Sequence, residues 1–466
     1  MEFPALYEEP AEFRRKLPLI VVGALCTLLG YTWTLISGLE VLALDSLPLW
    51  VLGGLAFALT VLDPRIGLGL LIFVIGISPE FEIWGVNNVR LEDFLLPVLL
   101  LSWLLRSAAR RERLAPTNLA VPLLLTVLLS VVSSIYNSIY SELDLLHCSF
   151  RVGKSVECLL ILTVALNLLR RRSDLVAFVY IMPLVGALVG IYGVIQLLQS
   201  QPRVTGPLGE TSNILGGYYV LHICLAIGLI TAGARYRPLL FAATLLMLVP
   251  LLHTLSRTSY VALFAGLLAI FAARRSFSTA LVLVVSFLAI FASTGLYDRF
   301  QTIFDVFSSE APNSFVMRVR GWLIFLGSLP SAPLLGQGVG RKALGAFDNE
   351  YIRLLFELGF FGLLLFVWLS VRIVRTSLQL SSRSAEPAFR GFAVGSFGAT
   401  VALLVHAVGA TTFTTIRTSE PFFLAMGLLY AIVLYESGSR PAQDEQLPLE
   451  LPALPRQARL APLGIR

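Results

Sequence analysis

The chain has 466 residues, of which 56% are hydrophobic and 14% charged, and its mean hydropathy is +0.81, whereas soluble domains hold roughly 45–50% apolar and about 25% charged residues. This excludes an ordinary soluble enzyme or nucleotide-binding domain, because no polar interval is long enough to build a core of its own. The net charge of +6 does not point to nucleic acid, since the basic residues come in short groups between apolar runs, as orientation in a membrane produces.

A helix needs about 17–25 apolar residues to span a bilayer. Fourteen candidate runs occur, near 17–37, 44–62, 66–79, 91–105, 118–137, 152–169, 174–198, 213–233, 238–254, 258–273, 277–294, 351–371, 390–410 and 419–436. The run at 66–79 is short, which suggests a re-entrant or tilted segment. The first run follows Arg14, Arg15 and Lys16 and has no small-residue cleavage site, so it is expected to stay as a helix.

Placing the N-terminus inside puts Arg65, the cluster Arg106–Arg113, Arg170–Arg172, Arg235 with Arg237, Arg274 with Arg275, and Arg372–Arg390 all on the cytoplasmic side. The alternation holds at every crossing, and both termini fall inside. The expected architecture is therefore an all-α polytopic membrane domain over 1–436, with about 14 transmembrane helices and a large periplasmic loop at 295–350. A proline-studded tail at 437–466 is expected to be disordered in the cytoplasm. Cys26, Cys148, Cys158 and Cys224 have no metal or disulfide spacing and read as small core residues.

The opposite face collects polar segments at 79–90, 137–154, 199–213, 253–260, 298–362 and 411–420. Arg151, Lys154, Arg203, Arg257, Arg318, Arg320, Arg353 and Arg417 lie there against the charge rule. A cation near a span costs from about 2.5 kcal/mol upward unless it is paired or faces water. Several at one depth suggest an anionic ligand, and the planar fork of arginine suits a diphosphate. Each also has a plainer reading: Arg318 and Arg320 as solvated loop residues, Arg257 as a snorkelling helix-start residue, Arg417 as a loop charge, and Arg353 as the partner of Glu350 or Glu357 at helical spacing.

Acid–base chemistry at this face would fall to Asp348, Glu350, Glu210 or a histidine. Asp348 and Glu350 fit equally well as a helix cap and a first-turn acid, and His222 and His406, inside apolar runs, read as hydrogen-bonded core residues. No side-chain cluster has metal spacing and no GxxxxGK[ST] loop occurs, so neither metal nor cofactor is expected.

Five pieces of the second half of the chain carry a family resemblance: Arg203-Val-Thr-Gly leading to Thr211-Ser-Asn213, Ser256-Arg257-Thr258, Arg318 with Trp322, the turn Pro333-Leu-Leu-Gly-Gln-Gly338, and Asp348-Asn349-Glu350-Tyr351 followed by Leu354-Leu-Phe-Glu-Leu-Gly359. In order and placement the chain resembles the O-antigen ligase and polymerase superfamily. The resemblance implies a GT-C-like, metal-independent membrane glycosyltransferase of the bacterial inner membrane that uses undecaprenyl-diphosphate-linked glycan at the periplasmic face. It further implies that Arg203, Arg257 and Arg318, with Arg320 and Arg353 in reserve, hold the diphosphate. Asn349, Tyr351 and Trp322 would support the site. Ligases of the superfamily commonly carry a histidine before the asparagine of the tetrad. Here that position is Asp348, which makes Asp348 the candidate base, with Glu350 behind it. This favours a polymerase of repeat units, with a ligase to lipid A core or protein as the alternative and a lipid-linked sugar flippase as the more distant one. The implied partners are the lipid-linked glycan, membrane lipid and a chain-length regulator, with no nucleic acid.

Overall fold

The computed structural model describes residues 47–438 except 78–79, 84–85, 113, 116, 118, 141–144, 202, 206–210, 276–313, 328 and 341–347. Its elements run α1 (Leu47–Leu62), α2 (Pro64–Ile77), a hairpin β1 (Glu80–Ile83) and β2 (Val86–Arg90), α3 (Leu91–Ala109), α4 (Ala120–Tyr140), α5 (Leu145–Leu168), α6 (Arg172–Leu198) and α7 (Ser212–Ala232). After these come α8 (Arg237–His253), α9 (Arg257–Arg274), α10 (Ser314–Gly327), α11 (Glu350–Arg383), α12 (Pro387–His406) and α13 (Ile416–Glu436). Seven of these, α4, α6, α7, α9, α11, α12 and α13, are long and apolar enough to cross a membrane, which fits a polytopic membrane protein. The expected spans at 17–37 and 277–294 lie outside the described residues, as does the tail from 439 onward.

The body is helical, as expected, and the hairpin is the one sheet among the described residues. Its strands pair antiparallel, Glu80 opposite Arg90 and Phe81 opposite Val89. The short run near 66–79 forms a 14-residue helix buried along almost its whole length. Part of the expected loop at 295–350 is helical, since α10 occupies 314–327.

α7 is the central helix, with 89% of its apolar window buried, and α13 follows with 83%. α7 crosses α12 so closely that a Cβ on Gly228 would sit 2.3 Å from the backbone nitrogen of Gly395. Small residues of this kind let helices approach where lipid supplies no hydrophobic drive between them. α4 and α9 lie outermost, and they expose side chains such as Leu124, Ile139 and Val261. Exposed apolar faces of this extent are rare on soluble monomers and suit contact with hydrocarbon.

Contacts sort the connections into two ends. Arg65 pairs with Asp174 at 3.1 Å, Arg170 with Glu112 at 3.0 Å and Arg172 with Glu386 at 2.8 Å. Arg390 donates to the Ala232 carbonyl at 3.2 Å, and the Tyr180 hydroxyl accepts from the Arg235 amide at 3.1 Å. Five connections that the charge alternation assigns to one side thus meet one another. The hairpin and the starts of α7, α9, α11 and α13 lie at the other end.

The expected span near 351–371 proves to be the first part of a 34-residue helix, α11, broken at Gly359, where φ is 65° and ψ −162°. The break leaves two N–H groups and two carbonyls without helical partners. The turn Pro333–Gly338 takes all four. Phe360 N–H donates to Pro333 O at 2.9 Å and Phe361 N–H to Leu334 O at 3.4 Å, while Gln337 N–H donates to Phe356 O at 2.7 Å and Gly338 N–H to Glu357 O at 3.2 Å. The backbones touch at two glycines of positive φ: a Cβ on Gly336 would lie 2.4 Å from the Glu357 carbonyl carbon, and one on Gly359 would lie 2.4 Å from that of Leu334. α4 clamps the joint, because the Ser133 hydroxyl donates toward Leu335 O at 2.6 Å and Asn137 Nδ2 donates to Gly336 O at 3.1 Å.

Gly359→Ala and Gly336→Ala each force a side chain into left-handed backbone against a neighbouring main chain. Each is expected to cost at least about 1–3 kcal/mol, read as a lowered thermal unfolding midpoint in detergent. Gly321→Ala, where a Cβ would meet open space, is expected to leave the midpoint unchanged.

Candidate functional site

α10 lies against the first turns of α11 through Trp322, which packs on Phe325, Ile352 and Phe356. This brings Arg318, one turn before Trp322, to the residue ahead of α11. Arg318 Nε lies 3.0 Å from Asp348 Oδ2, with the two side chains 35% and 39% exposed, so the pair is open to water. Arg320 is exposed but sits two residues along α10, about 200° around the helix from Arg318, and the two arginines therefore do not share a face.

Asp348 does not cap α11. The N-cap is Asn349, whose Oδ1 accepts from the amides of Tyr351 at 2.9 Å and Ile352 at 3.1 Å, the usual bonds of an N-cap side chain. Tyr351 reaches α12 and donates to Leu404 O at 2.7 Å.

Glu350 and Arg353 turn inward instead, 1% and 6% exposed. Arg353 Nη2 lies 2.5 Å from Glu350 Oε1, and its Nη1 contacts Glu357 Oε2. Glu350 Oε2 also accepts from the Phe413 amide at 3.2 Å and the Thr414 hydroxyl at 3.3 Å, while the Glu350 amide donates to Ala407 O at 2.9 Å. The plainer reading of Arg353, as the helical partner of Glu350 and Glu357, is thus what its geometry displays. The buried trio ties α11 to the α12–α13 connection and leaves the water-facing position to Asp348.

The other arginines reach this end through a chain of hydrogen bonds. Arg203 Nε donates to Thr254 O at 2.7 Å and Val204 N–H to His253 O at 3.1 Å. Ser256 caps α9 by accepting from the Ser259 amide and donates its hydroxyl to Asn213 Oδ1 at 2.7 Å. Asn213 Nδ2 in turn donates to Gly409 O at 2.9 Å. Arg257 is the first, half-buried residue of α9, and Gly409 lies two residues beyond the Ala407 carbonyl that holds Glu350. The segments at 203, 213, 257, 348–351 and 407–414 therefore form one connected end of the bundle, with Arg318 joined to it through Asp348. His406 is buried among them, with Nε2 3.2 Å from the Ser259 hydroxyl and Nδ1 2.7 Å from that of Thr412, a core histidine as its apolar setting suggested. His222 likewise bonds its own helix, Nδ1 to Tyr218 O at 2.8 Å.

Arg417 corrects a sequence expectation. It is no loop charge: it sits in the first turn of α13, 1% exposed, and donates to Gly76 O at 2.7 Å. Sequence reasoning also passed over Ser130, Ser133, Ser134 and Asn137 on α4, all buried. Their i, i+3, i+4, i+7 spacing makes a polar stripe within an apolar run, a readable signal that this face meets backbone rather than lipid.

The bundle and this end define a helical membrane protein in which, among the described residues, one end joins partly exposed arginines to the water-accessible carboxylate of Asp348. Residues 242–367 match the family described as O-antigen ligase, a stretch that runs from α8 to beyond the Gly359 break and includes Arg257, Arg318 and Asp348–Tyr351. The match supports the O-antigen ligase/polymerase superfamily, and with it a membrane glycosyltransferase of the ligase or polymerase type. No curated protein matches the chain in sequence.

Arg353→Met would leave Glu350 and Glu357 buried without their cation. Breaking a buried pair in this way costs about 3–5 kcal/mol, so the variant is expected to accumulate poorly in membranes and to melt earlier than wild type. Arg353→Lys is expected to recover part of that loss.

Proposed function

We propose that the protein polymerises undecaprenyl-diphosphate-linked oligosaccharide repeat units at the periplasmic face of a bacterial inner membrane, with both termini cytoplasmic. The observation that carries the reading is the Arg318–Asp348 pair, 3.0 Å apart and open to water, at the bundle end that also gathers the Arg203 and Arg257 segments. On arrival of the donor, Arg318 exchanges the Asp348 carboxylate for a diphosphate oxygen, which a guanidinium fork binds well. The freed carboxylate then accepts the proton of an acceptor sugar hydroxyl. That oxygen attacks the anomeric carbon, the glycosyl–phosphate bond breaks, and the charge developing on the lipid diphosphate falls to Arg203, Arg257 and Arg318. Preorganised contacts of this type contribute about 3–4 kcal/mol each in comparable oxyanion sites. The donor bond supplies the driving force.

A groove of about 500 Å³ between α4 and α11, lined by Leu125, Leu128, Val132, Phe361, Leu364 and Trp368 among others, begins beside the Gly336–Gly359 joint. Its apolar lining suits a polyprenyl chain whose diphosphate is held at the arginine face. The second reading, a ligase that moves finished glycan to lipid A core or to protein, draws on the family's description as O-antigen ligase. Asp348 in place of the histidine usual in ligases favours the polymerase.

In a deletion strain, accumulation of lipid carrying single repeat units is expected, whereas accumulation of long lipid-linked polymer would make the protein a ligase. Arg257→Ala, Arg318→Ala and Asp348→Asn are each expected to lower polymer synthesis by roughly 10²–10³ while the protein stays in the membrane. Full-length polysaccharide from Arg318→Ala or Asp348→Asn would overturn the assignment.

A further inference from the structure

A second group of charges lies inside the bundle, where the end of β2 meets α3, α5 and α13. Arg90 Nη1 is 3.7 Å from Glu92 Oε1. Lys154 contacts Asp93, and its Nζ is 2.8 Å from Glu157 Oε2. Glu420, on the second turn of α13 and 1% exposed, points into this group, and the charges around it are Glu157, Glu92, Lys154 and Arg90. Among the described residues, neither carboxylate oxygen of Glu420 has a hydrogen-bond partner. The other ionisable groups at hand are Cys158 on α5, whose Sγ lies 3.7 Å from Ser419 Oγ, Arg417 on α13, which donates to Gly76 O, and the buried Tyr218 of α7.

The described side chains thus set four carboxylates, Glu92, Asp93, Glu157 and Glu420, against three cations, Arg90, Lys154 and Arg417, of which Arg417 is engaged by the Gly76 carbonyl. An uncompensated carboxylate in such a setting is strongly disfavoured, and intramembrane acids mark ion or proton sites by default. Among the described residues no three His, Cys, Asp or Glu side chains converge closely enough to hold a metal ion. A carboxylate withdrawn from water is relieved of its charge by taking up a proton.

We propose that the Glu420–Glu157–Glu92 group is a proton-binding site within the membrane domain, separate from Asp348, in which Glu420 carries an exchangeable proton. Uptake forms one O–H bond on the Glu420 carboxylate, and one O–H bond of a solvent hydronium breaks to leave water. The neutral form keeps α13 seated on α5, whereas release of the proton puts like charges face to face between the two helices.

Infrared difference spectroscopy on the purified full-length protein in sodium-free buffer tests this directly. A protonated carboxyl band present at neutral pH, insensitive to added sodium chloride and lost in Glu420→Gln, is expected. Glu157→Gln removes one repelling carboxylate, so the pH at which the band appears should move downward, and this holds as a readout even where Glu420→Gln fails to accumulate. Absence of the band in wild type at neutral pH, its full retention in Glu420→Gln, or an unmoved transition in Glu157→Gln would each overturn the proposal. Sodium-dependent stabilisation without the band would replace the proton by a metal cation and overturn it too.

Discussion

The site end depends on the way a broken helix and a turn complete each other. α11 stops being helical at Gly359, and the four backbone groups set loose there find partners in Pro333–Gly338. In hydrocarbon an unpaired backbone group costs several kcal/mol and water cannot stand in for the partner. Break and turn are therefore stable only together. Glycine stands at both contact points because the main chains touch there and both residues have positive φ. Ser133 and Asn137 of α4 close the remaining side, so three stretches far apart in sequence fix one another.

The Arg318–Asp348 pair that carries the functional reading stands on that joint. Residues 350–358 form a short stub above it, and the stub presents Asp348 and Asn349 at its tip. Glu357 faces the joint at one end of the stub, while Glu350 holds the α12–α13 connection at the other, with Arg353 between them. The same buried charges that stiffen the stub remove Arg353 from the ligand face. A cation against the charge rule thus has two fates here: half-exposed and available, as Arg318 is, or internal and spent, as Arg353 and Arg417 are.

Sequence carried much of this. Apolar runs gave the described helices other than α10, which lies in the expected loop, and the alternation of arginine clusters foretold which connections meet at one end, because both signals follow from local composition and from orientation across a low-dielectric slab. The motif pieces foretold a common opposite face. What could not be read was the division of labour within that face. Spacing alone left Asp348 as either a base or the cap of α11, and only the path of the Asn349 side chain assigns the cap to Asn349 and leaves Asp348 to Arg318. Ser133 reaches Glu357 O across 224 positions, and Glu420 comes within electrostatic reach of Glu92 and Glu157 from helices still farther along the chain. Such pairings are set by tertiary packing, and no period in the sequence reports them.

The break at Gly359 has a mechanical meaning as well. Below it, 24 residues of α11 run through the slab to Arg383, while the stub above is tied sideways to α4, α10 and the α12–α13 connection. A rod of this kind meets changes of bilayer thickness by tilting. Because the break is locked to the turn and to α4, such a tilt carries stub, turn and α4 together and leaves the spacing of Arg318 and Asp348 to one another intact.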